Sequence, residues 1–151
     1  MITVEVLSLN QIDRLEKVVA IAKAQLSTAV TMDLLRSALE SPATTMFVAL
    51  NKEENDHDTK VIGTATLGII HCISGIRGHI EDVVVDEKWR GKGVGKLLLE
   101  KAISTAVQYH KVRTLDLTSR PDRVAANGLY KKMGFIQRDT NVYRYQPSSL
   151  T

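Results

Sequence analysis

The chain has 151 residues, 44% of them hydrophobic and 25% charged, which is the size and polarity of one globular domain and a squeeze for two. Twenty Lys and Arg against seventeen Asp and Glu leave a formal net charge of +3 with no basic tail, an excess that suits a small anionic ligand as readily as a nucleic acid. A single cysteine, Cys72, excludes an intramolecular disulfide and lacks the paired spacing of zinc or redox sites, and the apolar stretches stop well short of the ~20 residues that span a bilayer. Residues 1–10 carry Glu5 and no basic run ahead of an apolar one, so no secretory signal is expected, and the expected setting is the cytoplasm.

In chain order, residues 2–7 alternate, with Ile2, Val4 and Val6 on one face, and predict a half-buried first strand. Asn10 reads as a helix cap, and Ile12, Leu15, Val18, Val19 and Ala22 recur at helical spacing behind it. A second helix is predicted over 31–39, stopped by Ser41 and Pro42. Residues 44–50 and 61–70 are β-rich runs joined by the polar tract 51–60, an antiparallel hairpin. Turn residues Ser74, Gly75 and Gly78 connect to a strand over 79–86. A broad apolar stripe predicts a long helix over 93–109, followed by a short strand at 114–118, a helix at 123–132 ended by Gly134, and strands at 135–137 and 142–145. The order β-α-α-β-β-β-α-β-α-β-β predicts an α/β (α+β) domain with a mixed, mostly antiparallel sheet flanked by helices. Neither repeat nor linker divides residues 1–151.

The most informative segment is Val83-Val84-Val85-Asp86 followed by Glu87-Lys88-Trp89-Arg90-Gly91-Lys92-Gly93-Val94-Gly95-Lys96, a strand entering a glycine-rich turn and then a helix. Such a turn makes an anion site: first-turn N–H groups and the helix dipole attract a phosphate, and glycines let the backbone approach it. Arg90, Lys92 and Lys96 add full charges. A P-loop fails because position 90 is Arg and position 97 is Leu; a dinucleotide fingerprint fails at Lys96 or Leu98. What fits is Arg-x-x-Gly-x-Gly, as Arg90, Gly93 and Gly95.

That motif resembles the acetyl-CoA loop of the GNAT superfamily of N-acetyltransferases, and Leu129-Tyr130-Lys131-Lys132-Met133-Gly134-Phe135 is similar to the family's second signature, Leu-Tyr-x-x-x-Gly-Phe. The stretch Gly78-His79-Ile80-Glu81-Asp82-Val83-Val84-Val85 is similar to glucosamine-6-phosphate N-acetyltransferases within it. Asp116-Leu117-Thr118-Ser119-Arg120-Pro121-Asp122-Arg123 looks like bacterial members of unassigned substrate. The resemblance implies a single GNAT domain over 1–151, acetyl-CoA as co-substrate, and direct transfer of acetyl to a primary amine on a small molecule or peptide. An acceptor of the amino sugar phosphate type and a non-catalytic acyl-CoA-binding module are the alternatives. Nucleic acid and membrane are not expected partners, and the family's frequent dimerisation suggests a homodimer, formed through the last strands.

Carried onto this sequence, the resemblance implies that Arg90, Gly91, Lys92, Gly93, Val94, Gly95 and Lys96 hold the diphosphate and that the backbones of Val83 and Val85 meet the pantetheine arm. Many members carry Asn seven residues before the tyrosine; here that position is Arg123, so either Arg123 or Asn127 supplies the cofactor contact. Tyr130 takes the place of the phenol that meets the thiolate. Glu81 is the expected base, with the apolar run behind it expected to desolvate it partly, and Asp82 falls on the opposite face if the strand is regular. A plain structural charge is the alternative for Glu81. Arg120 and Arg123 suit an acidic acceptor, cofactor phosphates or a salt bridge equally. His71, His79 and His110 read as packing, Asp56-His57-Asp58 reads as a solvated loop, and no metal site is expected.

Overall fold

The computed structural model describes residues 1–53 and 59–148; Asp56-His57-Asp58 lie outside the described residues. The chain forms two compact units, Met1–Thr118 and Ser119–Thr151. The first holds a five-stranded sheet of β1 (Ile2–Val6), β2 (Thr44–Asn51), β3 (Lys60–Cys72), β4 (Gly75–Val85) and β5 (Thr114–Asp116), in sequential order. The first four strands are antiparallel neighbours and β5 runs parallel to β4. Helices α1 (Ile12–Gln25) and α2 (Met32–Glu40) precede β2, and α3 (Val94–Ser104) lies between β4 and β5. A turn of π-helix at Thr105–Tyr109 ends the segment expected as one long helix.

Residues Met46, Val48 and Leu50 of β2 pack with Leu7, Leu15, Val18 and Leu35 into one buried layer under α1 and α2. The intervening Phe47 and Ala49, on the other face, are wholly buried too, so β2 is apolar on both sides and does not alternate. On that second face a Cβ on Gly63 of β3 would stand 3.1 Å from Val94 and from Leu98 and 2.8 Å from the Val84 carbonyl oxygen. Only glycine lets α3 sit this close to the sheet, and that seating fixes the turn that precedes α3.

Thr31 caps α2 by accepting a hydrogen bond from the Leu34 amide at 3.2 Å. Helix α1 differs from expectation: its cap is Gln11, while Asn10 is held by Ser8 Oγ at 2.8 Å. β4 begins at Gly75, earlier than expected. Gly78 is a strand residue, and a Cβ there would stand 2.9 Å from Leu115, so close strand packing explains this glycine. Opposite β3, β4 takes three steps, Glu81 to Val84, against two, Thr66 to Thr64, and Asp82 adopts φ +50°. This bulge reverses the strand's parity between Glu81 and Val84, so these two residues share a face and β4 is not a regular strand at Asp82 and Val83.

The second unit contains α4 (Val124–Lys132). The strands expected at 135–137 and 142–145 are not formed among the described residues. Ile136, Val142, Tyr143 and Tyr145 have strand-forming side chains but stay exposed, and none is paired in a ladder. β-propensity reflects packing on a partner strand, and without one it does not make a strand.

Candidate functional site

After β4 the chain makes a single 3-10 turn at Glu87–Trp89, capped by Asp86, whose Oδ1 accepts from the Lys88 amide at 2.9 Å. Asp86 itself donates its amide to the Ile62 carbonyl at 2.9 Å, fastening the turn to β3. Gly91 and Gly93 then take left-handed conformations, φ +75° and +82°, and an added Cβ at either would meet no atom of the described residues within 4 Å. Backbone geometry therefore requires these glycines, and the space above them is open. Gly93 is the N-cap of α3 and has no side chain to bond the first-turn amides, while Val94 anchors the turn from below, 1% exposed. Gly95 and Lys96 form the first turn of α3. Uncapped amides, a helix dipole and open space fit an anionic oxygen group such as a diphosphate.

Each expected cation has a resting partner. Lys92 Nζ stands 4.8 Å from the centre of the Trp89 ring, a cation–π contact. Lys96 pairs with Glu100 one turn on, 3.8 Å apart and largely exposed, a weak interaction. Arg90 donates Nε to the Val85 carbonyl at 3.4 Å and Nη2 to Gln25 Oε1 at 3.0 Å. Gln25, 65 positions earlier, carries no motif that would have marked it.

Within the described residues β5 pairs only with Arg77, Gly78 and His79 of β4, so the β4 edge from Ile80 to Val85 has no strand neighbour on that side. Val83 lies in the bulge, and Val85 stands opposite Gly63 with its carbonyl accepting from Arg90 Nε. Glu81 is exposed, and the apolar run behind it does not bury its carboxylate. Thr64, two residues along β3 from Thr66, which faces Glu81, is 3% exposed, with a hydroxyl that has no hydrogen-bond partner among the described residues.

The second unit holds the remaining predicted residues. Arg123 is the N-cap of α4, and Asn127 Nδ2 donates to the carbonyls of Arg123 at 2.8 Å and Arg120 at 2.9 Å, so this amide holds the turn ahead of the helix. Arg120 pairs loosely with Asp122 at 3.9 Å. Tyr130 is 8% exposed; burial raises its pKa above the ordinary 10.0, against a smaller lowering by the Arg123 charge. Gly134, at φ +98°, ends the helix as expected. Cys72 is an exposed free thiol. Among the described residues no helix is long and apolar enough to cross a membrane.

A protein-family model described as "Acetyltransferase (GNAT) family" matches residues 13–135. N-alpha-acetyltransferase 30 of Xenopus laevis is 32% identical over 94 residues, 56% of this chain and 33% of that protein. The chain spans less than half the length of the curated relatives it matches. Among solved structures, AAC(6')-Iy in complex with a bisubstrate analogue, CoA-S-monomethyl-acetylneamine, is similar with TM-score 0.80 and 16% identity, over 97% of this chain and 99% of that one. Glucosamine-6-phosphate N-acetyltransferase from Arabidopsis thaliana is similar with TM-score 0.72 and 20% identity, over 96% and 98%. At these identities the two structures establish a shared fold.

Proposed function

The chain belongs to the acetyltransferase (GNAT) family, and from that premise we propose that it is an acetyl-CoA-dependent N-acetyltransferase, one domain over residues 1–151, acting on a primary amine. The observation that carries the reading is the turn at Arg90–Lys96. Its two left-handed glycines, open space and uncapped first-turn amides suit the CoA diphosphate. Similarity in fold to a protein solved with a CoA-containing bisubstrate analogue supports the same ligand class.

Bound acetyl-CoA supplies a thioester, whose carbonyl carbon a neutral amine attacks as the CoA thiolate leaves. In this reading Arg90, Lys92 and Lys96 offset the diphosphate charge, and Gly91, Gly93, Val94 and Gly95 supply backbone. The unpaired β4 edge at Val83 and Val85 takes the pantetheine arm as an added strand would be taken. Arg123 offers a guanidinium to the cofactor. The side-chain oxygen of Asn127 is the alternative contact, since its amide nitrogen bonds the carbonyls of Arg120 and Arg123. No nucleophile on the protein is needed.

An acceptor with an amine pKa of about 10.4 is neutral in only on the order of one molecule in a thousand at pH 7, so a proton must be removed. Glu81, exposed beside the bulge, is the base in this reading. Glu81→Gln should slow turnover, with the rate recovering as pH rises; a pH profile parallel to that of the parent protein rejects the role. Tyr130, a phenol that is protonated at neutral pH and whose pKa burial raises further, donates a hydrogen bond to the departing sulfur in this reading.

The cofactor assignment is tested by Gly93→Asp. That change sets a carboxylate where the diphosphate is expected, and calorimetry should show acetyl-CoA affinity falling severely. Unchanged affinity removes the loop from the site. An acetyl-transfer screen against amino sugar phosphates, peptides, polyamines and aminoglycosides identifies the acceptor.

A further inference from the structure

We infer that Gln25 is a positioning residue for the cofactor loop, its side-chain oxygen holding the Arg90 guanidinium ready for the diphosphate. This rests on the assignment of Arg90–Lys96 to acetyl-CoA. Arg90 is exposed, and a long exposed arginine samples many rotamers whose loss on binding weakens affinity. Two contacts limit that freedom: Nε to the Val85 carbonyl at 3.4 Å, within the Arg90 segment itself, and Nη2 to Gln25 Oε1 at 3.0 Å, from another element.

Gln25 is a firm post for this purpose. It is the last residue of α1 and half-buried, and the turn that carries it is anchored by Ile21 and Ala22, 8% and 7% exposed. Leu26 and Ser27 both donate their amides to the Ala22 carbonyl, at 2.9 and 3.1 Å, closing the helix end around it.

The chemistry of the two acceptors matters as much as their position. A carbonyl and a carboxamide oxygen orient a guanidinium without cancelling its charge. Of the five N–H bonds of an arginine, these contacts engage two, which leaves a charged donor face for an anion. A carboxylate in place of Gln25 would hold Arg90 at least as well but would neutralise it and repel the diphosphate.

Calorimetric titration with acetyl-CoA tests this in Q25M, R90M, the double variant and Q25E, each checked for an unchanged thermal unfolding midpoint. Q25M should bind about threefold to tenfold more weakly, as expected for losing preorganisation of one side chain. In the R90M background the same change should have no further effect. Q25E should bind at least as weakly as Q25M, with the deficit largest at low salt. Wild-type affinity in Q25M, a Q25M loss that persists without Arg90, or tight binding by Q25E overturns the proposal while leaving the loop assignment intact. Wild-type affinity in R90M overturns the loop's arginine contact itself, and this inference with it.

Discussion

The backbone N–H of Phe135 donates to the carbonyl of Tyr130 at 3.0 Å, and the two rings meet edge-on with centroids 6.1 Å apart. Between them the Gly134 amide donates to the Lys131 carbonyl at 3.1 Å, with Gly134 left-handed. Together these are the two reverse hydrogen bonds and the apolar contact of a Schellman helix end. The spacing Tyr-x-x-x-Gly-Phe is thus a helix terminator in its own right, and of its side-chain groups the Tyr130 hydroxyl is the one that termination does not use.

That division separates two substitutions. Tyr130→Phe keeps the ring and every backbone bond, so unfolding in denaturant should be little changed below pH 9, while turnover falls and acetyl-CoA affinity stays. Gly134→Ala keeps the hydroxyl but forces a Cβ into a left-handed residue, at a cost of about 1–2 kcal/mol in stability. A Tyr130→Phe protein with wild-type turnover would remove the phenol from the chemistry.

Tyr130 also gives the protein an alkaline limb. Its folded pKa lies above the ordinary 10.0, chiefly because burial disfavours the phenolate, so the folded state holds the proton more tightly than the unfolded chain. The associated stability is complete below pH 10.0 and is lost as pH rises from there through the folded value. Melting temperatures measured between pH 9 and 11 should fall more steeply for the parent protein than for Tyr130→Phe. Parallel curves would contradict the burial of this hydroxyl.

The sequence revealed the elements that carry strong local signals and hid those that depend on register. Helical spacing located α1, α2 and the start of α3, and the glycines at 91 and 93 marked the loop because their left-handed backbone demands them. The bulge at Asp82 could not be read, since alternation along β4 alone does not reveal that two steps on β3 face three on β4. Gly78 has the sequence signature of a turn residue because its actual reason, the nearness of Leu115, lies in another strand. The Gln25 contact spans 65 positions and leaves no local trace. Residues 142–145 show the converse: good strand formers without a ladder partner among the described residues.

Adjacent positions on β3 should respond to added or altered bulk with opposite signs. Gly63→Ala places a Cβ 2.8 Å from the Val84 carbonyl oxygen, a backbone atom that cannot swing away, and 3.1 Å from Val94 and Leu98. Overpacking of this kind costs about 1–3 kcal/mol, and here it presses on the helix that carries the loop, so acetyl-CoA affinity should fall with stability. Thr64→Val keeps the β-branched shape and removes a buried hydroxyl that has no hydrogen-bond partner among the described residues. The midpoint of denaturant unfolding should hold or rise, since an unsatisfied buried polar group costs about 1–3 kcal/mol. A clear loss of stability in Thr64→Val would show that the hydroxyl has a partner, such as a bound water.

An acid limb should arise at Glu5. Lys52 Nζ lies 2.8 Å from one carboxylate oxygen and Arg14 Nη1 2.7 Å from the other, tying β1 to α1 and to the chain just after β2. The Lys52 hydrogen bond, then that of Arg14, lowers the Glu5 pKa below its ordinary 4.5, against a smaller opposing effect of burial. Because the folded value is depressed, the stabilisation is present above pH 4.5 and is lost as pH falls through the folded value. The Glu5 and Lys52 side chains are 35% and 44% exposed, so solvent screening holds the Lys52 pair to about 1 kcal/mol or less. Glu5→Gln should therefore lower the melting temperature modestly at pH 7, and the difference from the parent protein should shrink progressively as pH falls below 4.5. The difference at pH 7 should shrink in about 0.5 M salt. A gap that persists unchanged at pH 3 would mean that Glu5 acts through packing and not through charge.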